Sequence, residues 1–144
     1  MEKRRDVGHE LHAISNLLGR KIEAGKRERG MGDITPVQIW IIRYLYEHQG
    51  KDVFQKDIER DFSITRSTVT GILKLMEKND YIERVTVPKD ARLKKLVLTE
   101  KGKNLLHMVC EHVSETNNML INGMTDEEVD TLFRLLDKVK QNLL

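Results

Sequence analysis

The fold of this chain is decided by residues 63–98, which read SITRSTVTGILKLMEKNDYIERVTVPKDARLKKLVL. In the first half, an apolar stripe with the spacing of one helix face is formed by Val69, Ile72, Leu73 and Met76. The second half is rich in Val, Ile, Leu and Thr on both sides of residues 88–91, which is typical of a β-hairpin. The stretch therefore predicts a helix followed by two antiparallel strands.

A second short helix is predicted immediately before this stretch. Phe54, Ile58 and Phe62 repeat every four residues and would share one helix face. The chain then breaks at Ser63, and Thr65 is a favourable residue with which to begin the next helix. Two short helices separated by about three or four residues match the helix-turn-helix pattern.

Another helix is predicted to begin at Thr35. Thr35 and Gln38 have the spacing of a capping box, and Pro36 suits the first helical position. The residues that follow are apolar almost all round, so this helix should be buried on more than one side. We expect it to end at Gly50.

Amphipathic helices are predicted at both ends of the chain. An apolar stripe runs from Val7 to Ile22 and is broken from Gly25 onward. After the hairpin, Thr99 caps a helix predicted to extend as far as Gly123. A capping box over residues 125–128 then opens a final helix with its own apolar stripe. Such stripes serve equally well for packing within the domain or against a partner.

Composition favours a single, mainly helical domain. The chain has 144 residues, a formal charge of +2 and one cysteine, so it has no disulfide framework. Its longest strongly hydrophobic run, residues 39–42, is far shorter than the roughly 20 residues of a membrane span. No secretory signal is visible. We expect one cytoplasmic domain over residues 1–144, mainly α with a small β-hairpin (α+β), and no membrane partner.

The near-neutral charge is an average over two opposite regions. Residues 63–95 carry eight lysines and arginines against four acidic residues, a balance of +4. Residues 104–144 carry three against seven, a balance of −4. The basic region coincides with the second helix of the helix-turn-helix and the hairpin, which favours a nucleic-acid partner there.

The second helix of the helix-turn-helix has a polar face opposite its apolar one. Short hydroxyls and a cation suit contact with the major groove of DNA. The residues that share this face are Ser67, Thr70, Gly71 and Lys74. Arg66 opposes the helix dipole, and Gly71 costs about 1 kcal/mol relative to alanine, so both indicate a role other than stability. An ordinary solvated helix face is an equally good interpretation of this stripe taken alone.

The hairpin is strongly basic. Its cations are Arg84, Lys89, Arg92, Lys94 and Lys95. A basic hairpin beside a helix-turn-helix is typical of a wing that grips phosphates and inserts an arginine into a narrow minor groove. Asp90 could accept hydrogen bonds from the Arg92 guanidinium and aim it. The alternative is an exposed ion pair worth about 0–1 kcal/mol.

Together these motifs resemble winged-helix transcription regulators of the multiple-antibiotic-resistance regulator (MarR) family. The resemblance covers nearly the whole chain, and the order and spacing of the motifs make it specific. The segments that carry it are residues 35–38 (TPVQ), 63–73 (SITRSTVTGIL), 75–78 (LMEK), 81–84 (YIER), 90–92 (DAR) and 96–102 (LVLTEKG).

The resemblance implies a homodimer that represses transcription from a palindromic double-stranded DNA operator. Residues 35–99 would form the DNA-binding module, and residues 1–34 and 100–144 the dimerisation helices. The implied dimer residues are Leu11, Ile14, Leu18, Leu132, Leu136, Val139 and Leu143. The implied DNA-binding residues are Thr65, Arg66, Ser67, Thr68, Thr70, Gly71 and Lys74 in the major groove and Arg84, Lys89, Asp90, Arg92, Lys94 and Lys95 on the wing.

Two features depart from the family pattern. Lys94 and Lys95 stand where further arginines are frequent, and lysine lacks the planar fork of arginine. Asp80 stands where glycine is usual, so the exit from the recognition helix should be slightly strained.

The resemblance also suggests a cleft for a small aromatic or amphipathic effector that would release the DNA. Four residues there would mix aromatic surface with polar groups: His12, Trp40, Arg43 and Tyr44. Trp40 and Tyr44 serve equally well as core residues.

Other chemistries have weaker support. The sequence holds no phosphate-binding loop, nucleophile motif or metal-binding helix signature, so neither an enzyme nor a cofactor is predicted. The five histidines, with Glu111, could form a metal-responsive site, but no spacing specifies one. Cys110 lies among apolar residues, which favours a structural thiol over a redox sensor. A winged-helix module that binds protein instead of DNA is the remaining alternative, and the basic wing disfavours it.

Overall fold

The computed structural model describes residues 5–144, and residues 1–4 of the predicted N-terminal segment lie outside that range. The described helices and strands are, in chain order, α1 (Val7–Arg29), α2 (Pro36–Glu47), α3 (Gln55–Phe62), α4 (Arg66–Lys78), β1 (Ile82–Val87), β2 (Asp90–Leu98), α5 (Glu100–Asn104), α6 (Leu106–Leu120) and α7 (Asp126–Leu143). The chain divides into two compact units, with the boundary after Val113. The predicted fold class, mainly α with a small antiparallel hairpin, is confirmed.

The core of the first unit forms around α2. The capping box predicted at its start is present, because Thr35 N donates to Gln38 Oε1 at 3.1 Å and Gln38 N donates to Thr35 Oγ1 at 3.3 Å. Ile41 and Ile42 are completely buried at the centre of the helix. Each such side chain stabilises the fold by about 1.5–3 kcal/mol on burial.

The predicted helix-turn-helix is formed by α3 and α4. Ser63 takes the left-handed conformation (φ 53°) at the end of α3, and Ile64 N donates back to Glu59 O at 3.1 Å. The turn delivers the chain to α4 with its apolar face against the core. Of the four residues predicted to face the core, Val69, Leu73 and Met76 are completely buried, and Ile72 is partly buried against them.

The hairpin pairs Ile82 with Leu98 and is closed by a tighter turn than predicted. The second strand begins at Asp90, which lies opposite Val87, and the register shifts between Thr86 and Val87. The predicted four-residue turn over residues 88–91 was therefore wrong, because this irregularity lets the strands pair closer to the tip.

The free edge of β2 is tied to the segment that precedes α3. Leu96 N donates to Val53 O at 2.8 Å, and both side chains are buried. This bond anchors the base of the hairpin to the helix-turn-helix, so the wing and α4 belong to one packed body.

The chain leaves α4 through Asp80, which is left-handed at φ 63°. Asp and Asn are the non-glycine residues that tolerate this region best. The Asp80 carbonyl accepts a hydrogen bond from the Thr99 hydroxyl, and Lys101 Nζ donates to Asn79 O at 2.8 Å. The backbone strain expected at Asp80 is confirmed by its left-handed conformation. The hydrogen bonds from Thr99 and Lys101 stabilise this segment.

The first helix continues beyond its predicted end. It passes through Gly25 and ends at Arg29, where Gly30 takes a left-handed conformation (φ 65°). Gly25 lies against the ring of buried His112, since a Cβ at this position would be 2.8 Å from His112 Cε1. Glycine at position 25 allows α1 to pack closely against His112, and the helix continues through it.

The helix predicted to run from Thr99 as far as Gly123 is divided. It breaks at Leu105 into α5 and α6, and α6 ends at Leu120. The capping box before α7 is present, with Thr125 N donating to Glu128 Oε1 at 3.0 Å.

Apolar side chains remain exposed on both terminal helices. In the first unit, Leu11 and Ile14 on α1 are 37% and 50% exposed. In the second unit, no residue of α7 is buried, and Phe133 is 54% exposed. Within the described residues, no helix is long and apolar enough to cross a membrane.

Candidate nucleic-acid interface

A basic groove of about 500 Å³ lies between the start of α3, the start of α4 and the hairpin. Its lining residues are Phe54, Gln55, Lys56, Glu59, Arg66, Thr70, Arg84, Arg92, Leu93 and Lys94. Five of them are cations and one is a carboxylate. Such a concentration of positive charge attracts a polyanion.

The surface of α4 beside the basic groove is polar and exposed. Its exposed residues include Thr65 at the N-cap and Arg66, Ser67, Thr68, Gly71 and Lys74 on the helix. A Cβ built on Gly71 would meet nothing within 4 Å, so no contact inside the described protein requires a glycine there. The structure thus confirms the two-faced helix, whereas the DNA contacts of these residues stay predictions.

The hydroxyls at the start of α4 bind one another. Thr65 is the N-cap residue, as predicted, but its side chain makes no capping bond and donates to Thr68 Oγ1 at 3.0 Å. The first-turn amides of α4 therefore donate no hydrogen bond to the Thr65 side chain. A helix start of this kind favours an approaching phosphate.

Thr70 is only partly available for base contact. Its hydroxyl donates to Arg66 O at 2.8 Å and accepts a hydrogen bond from Gln55 Nε2, also at 2.8 Å. A hydroxyl has one proton, so Thr70 has no further hydrogen bond to donate while these contacts hold. Thr70 lines the basic groove, on the side of α4 where it was predicted, but its hydroxyl makes hydrogen bonds within the protein.

The wing tip carries exposed Lys89, Arg92 and Lys94. Asp90 Oδ1 accepts a hydrogen bond from the main-chain N of Arg92 at 2.9 Å. Asp90 was expected to bind the guanidinium. It instead orders the backbone that carries Arg92, because an aspartate carboxylate readily accepts a hydrogen bond from the main-chain amide two residues on.

The other two hairpin cations lie nearer its base. Arg84 is half-buried, with Nε 3.5 Å from Glu77 Oε2, and its buried Nε and Nη2 make no protein hydrogen bond. The 3.5 Å contact is an ion pair of poor hydrogen-bonding geometry. Lys95 Nζ lies 3.6 Å from Asp52 Oδ1. Both residues were predicted on the wing with the others, and both are engaged with neighbouring elements.

The four predicted effector residues lie on α1 and α2. His12 and Trp40 are exposed, and Arg43 Nε pairs with Glu47 at 2.7 Å. A groove along α1 is lined by Ser15, Asn16, Gly19, Arg20, Glu23, Arg27 and Pro36, and includes none of the four. An effector therefore stays a prediction.

Tyr44 joins α2 to α3. Its hydroxyl donates to Asp61, and its ring stacks on His48 at 3.9 Å between centroids. Burial, and then the bond to Asp61, raises the pKa of Tyr44 to about 12. The hydrogen bond from Arg60, followed by that from Tyr44, lowers the pKa of Asp61. This contact explains Tyr44 without an effector, and the sequence carried no signal for it.

The residues that the structure describes do not form the metal-responsive site that was considered as an alternative. Within residues 5–144, no three His, Cys, Asp or Glu side chains lie close enough together to hold a metal ion. His107 Nε2 lies 3.7 Å from Glu111 Oε2, one turn along α6. Cys110 is half-buried, and not fully buried as a structural thiol would be.

Sequence reasoning missed two residues that the fold brings to the basic groove. Gln55 begins α3 and reaches α4, and exposed Lys56 follows it. The signal was faint: both stand at the start of a predicted short helix, and only the turn between α3 and α4 places them beside Arg66.

Known proteins share this architecture. The sequence pattern of the MarR family matches residues 32–93. The crystal structure of the transcription regulator MarR from Oenococcus oeni is 31% identical, with a TM-score of 0.83 over 94% of this chain and 99% of that one. The MepR–DNA complex from S. aureus is 25% identical, with a TM-score of 0.83 over 96% of this chain and 99% of that one. The HTH-type transcriptional regulator YybA of Bacillus subtilis is 26% identical over 137 residues, 95% of this chain and 83% of the relative.

Proposed function

This chain belongs to the MarR family of DNA-binding transcription regulators, which are not enzymes, and from that premise we propose that it represses transcription by binding a palindromic operator as a homodimer. The observation that carries the proposal is the exposed polar face of α4 beside the basic groove. A helix presented in this way can enter the major groove of DNA, while a basic hairpin reaches the neighbouring minor groove.

The side chains of α4 and of the wing would make different kinds of contact with DNA. Arg66 lies on the first turn of α4, where such helices meet base edges, and Lys74 lies two turns further on as a point charge for phosphate. Arg92 at the wing tip is placed for the minor groove. The further proposed contacts are Thr65, Ser67, Thr68, Gly71, Lys89 and Lys94. Arg84, Asp90 and Lys95 support the wing.

A second copy of the chain is the proposed partner for the exposed and half-buried apolar side chains along α1 and α7. Leu11, Ile14 and Leu18 lie along α1, and Leu132, Leu136, Val139 and Leu143 lie along α7. A twofold dimer would cover them and would present two α4 helices to two half-sites. This is the physical reason to expect a palindrome.

Repression follows when a dimer occupies DNA that a polymerase must enter. A small aromatic or amphipathic effector would relieve repression if it changed the distance between the two α4 helices. The exposed Trp40 and His12 are the residues that we propose for its first contacts.

The experiment selects DNA sites with the purified protein from a random-sequence library and footprints the selected site. We expect two inverted half-sites about 10 base pairs apart, bound by two chains. The logarithm of affinity should fall with the logarithm of salt concentration with a slope of about −0.9 per phosphate neutralised. A single half-site bound by one chain would contradict the dimeric proposal, and a flat salt response would contradict the proposed phosphate contacts.

A further inference from the structure

Gln55 connects the two helices of the helix-turn-helix. It is the first residue of α3, and its side-chain amide reaches α4, donating to Thr70 Oγ1 at 2.8 Å and to Arg66 O at 3.4 Å. Thr70 Oγ1 in turn donates to Arg66 O at 2.8 Å. We call this closed set of three hydrogen bonds the Gln55 tie.

In the Gln55 tie, each group has a fixed role as hydrogen-bond donor or acceptor. The Thr70 hydroxyl donates its only proton to Arg66 O, so it can only accept a hydrogen bond from Gln55. Gln55 must therefore supply the N–H, and a glutamate could not. A lysine could donate as well, but it would add a charge to a groove that already holds five cations. A neutral donor of this length satisfies both demands.

The position of the tie decides what it can affect. Arg66 begins α4, and its side chain lines the basic groove with Arg92. The tie links the Arg66 carbonyl to α3 through Thr70 and through a longer direct contact of 3.4 Å from Gln55 Nε2. Gln55 and Thr70 are both half-buried, and the bond between them is partly sheltered from water, whereas the two bonds to Arg66 O are exposed.

We propose that Gln55 is a positioning residue for operator recognition, which acts through Thr70 and the Arg66 main chain to aim the first turn of α4. The inference rests on the proposed contact between α4 and the operator. Because Gln55 is uncharged, its contribution goes to discrimination between sequences and not to the general attraction for DNA.

The test compares Gln55→Met with Lys56→Met on the DNA site that the wild-type protein selects and on an unselected duplex of equal length. Methionine keeps the length of the side chain and removes the N–H donors. We expect Gln55→Met to weaken binding to the selected site by about three- to tenfold, and to leave the unselected duplex and the salt slope unchanged. Lys56→Met should weaken both duplexes and reduce the steepness of the salt slope by about 0.9.

A double-mutant cycle identifies the route of the effect. If Gln55 acts through Thr70, Gln55→Met combined with Thr70→Val should lose no more affinity than the larger single change. Losses that add would show that Gln55 touches the DNA itself, and would overturn the inference.

Hydrogen exchange in the free protein supplies a readout that needs no DNA. The amides of residues 69–73, the first of which donates from Val69 N to Thr65 O at 3.0 Å, should exchange faster in Gln55→Met, while those of the hairpin stay unchanged. Unchanged exchange at these amides would overturn the inference, as would a variant that binds the selected site like the wild type. A wild-type protein that selects no DNA site would instead overturn the proposed function.

Discussion

The carboxylate of Asp90 accepts a hydrogen bond from the main-chain N of Arg92 at 2.9 Å. The bond spans the start of β2, immediately after the two-residue turn at the wing tip. It fixes the peptide that carries Arg92 and leaves the guanidinium exposed. A carboxylate on a wing that binds DNA would be electrostatically unfavourable, so its structural contribution must exceed that cost if the proposed wing contact is to be strong.

This relationship predicts opposite results for two substitutions of Asp90. Asp90→Asn keeps the side-chain oxygen and removes the charge, so operator affinity should stay equal or rise. Asp90→Ala removes the charge and the acceptor, and affinity should fall by about two- to fivefold because ordering Arg92 then costs about 0.5–1 kcal/mol more. Fluorescence anisotropy with labelled operator DNA measures both. Tighter binding by Asp90→Ala than by wild type would show that the charge outweighs the hydrogen bond.

Arg92 should contribute to affinity through its planar guanidinium. Arg92→Ala should cost about 1–3 kcal/mol of operator affinity, and Arg92→Lys should recover only the part that depends on charge. Titrations across salt separate the two effects, because alanine reduces the steepness of the slope and lysine preserves it. A lysine variant that binds like the wild type would reduce Arg92 to a phosphate contact.

Gly71 and Gly19 form a matched pair, since each lies in a helix where an added Cβ would meet nothing within 4 Å. Both Gly→Ala changes should stabilise the protein by up to about 1 kcal/mol, measured by urea denaturation. Only Gly71→Ala should weaken operator binding, because Gly71 lies on the face of α4 that is proposed to contact DNA. Equal DNA affinity in the two variants would leave Gly71 without a role in recognition.

Leu136→Asp should convert the dimer to monomers, because it places a charge among the apolar side chains proposed to face a second copy. Sedimentation velocity at several concentrations measures the change. Lys138→Asp, at an exposed position on the same helix, is the control and should stay dimeric. A Leu136→Asp protein that sediments as a dimer would show that α7 is not at the interface.

The contact between Tyr44 and Asp61 should make stability depend on pH at both extremes. The pKa of Tyr44 is raised from 10.0 to about 12, so its contribution is complete below about pH 10 and lost as the pH rises toward 12. The pKa of Asp61 is lowered, so its contribution is present above about pH 4 and lost as the pH falls below that value.

Tyr44→Phe tests this dependence. It should lower the free energy of unfolding by about 0.5–1 kcal/mol near neutral pH and by less at both extremes, because the wild type has then lost the same bond. Titration of tyrosinate absorbance should show one late-ionising group that this variant lacks. A constant difference in stability from acid to alkaline pH would contradict the assignment.

Much of the fold could be predicted because its signals are local. The capping boxes that begin at Thr35 and Thr125 each depend on two side chains three residues apart, and both capping boxes are present. The apolar spacing of α4 predicted four core-facing side chains, of which three are completely buried. Asp80, at a position where glycine is usual in the family, marked a left-handed residue.

The errors and omissions came from contacts between distant segments. Gly25 reads as a helix breaker until His112 is packed against it. Arg84 reads as a wing cation until Glu77 on α4 lies beside it. Tyr44 reads as ligand-binding or core surface until Asp61, on the next helix, takes its hydroxyl.

The sequence by itself determined which segments become helix and strand, which face of α4 is buried, and that residues 63–95 carry a net charge of +4. These properties follow from neighbours within about four residues, whose interactions the spacing alone specifies. The tertiary structure alone decided which polar groups remain available to DNA. It placed the Gln55 amide against the Thr70 hydroxyl and Glu77 beside Arg84. A hydrogen bond depends on positions known to a fraction of an ångström, and packing across the turns between elements sets those positions.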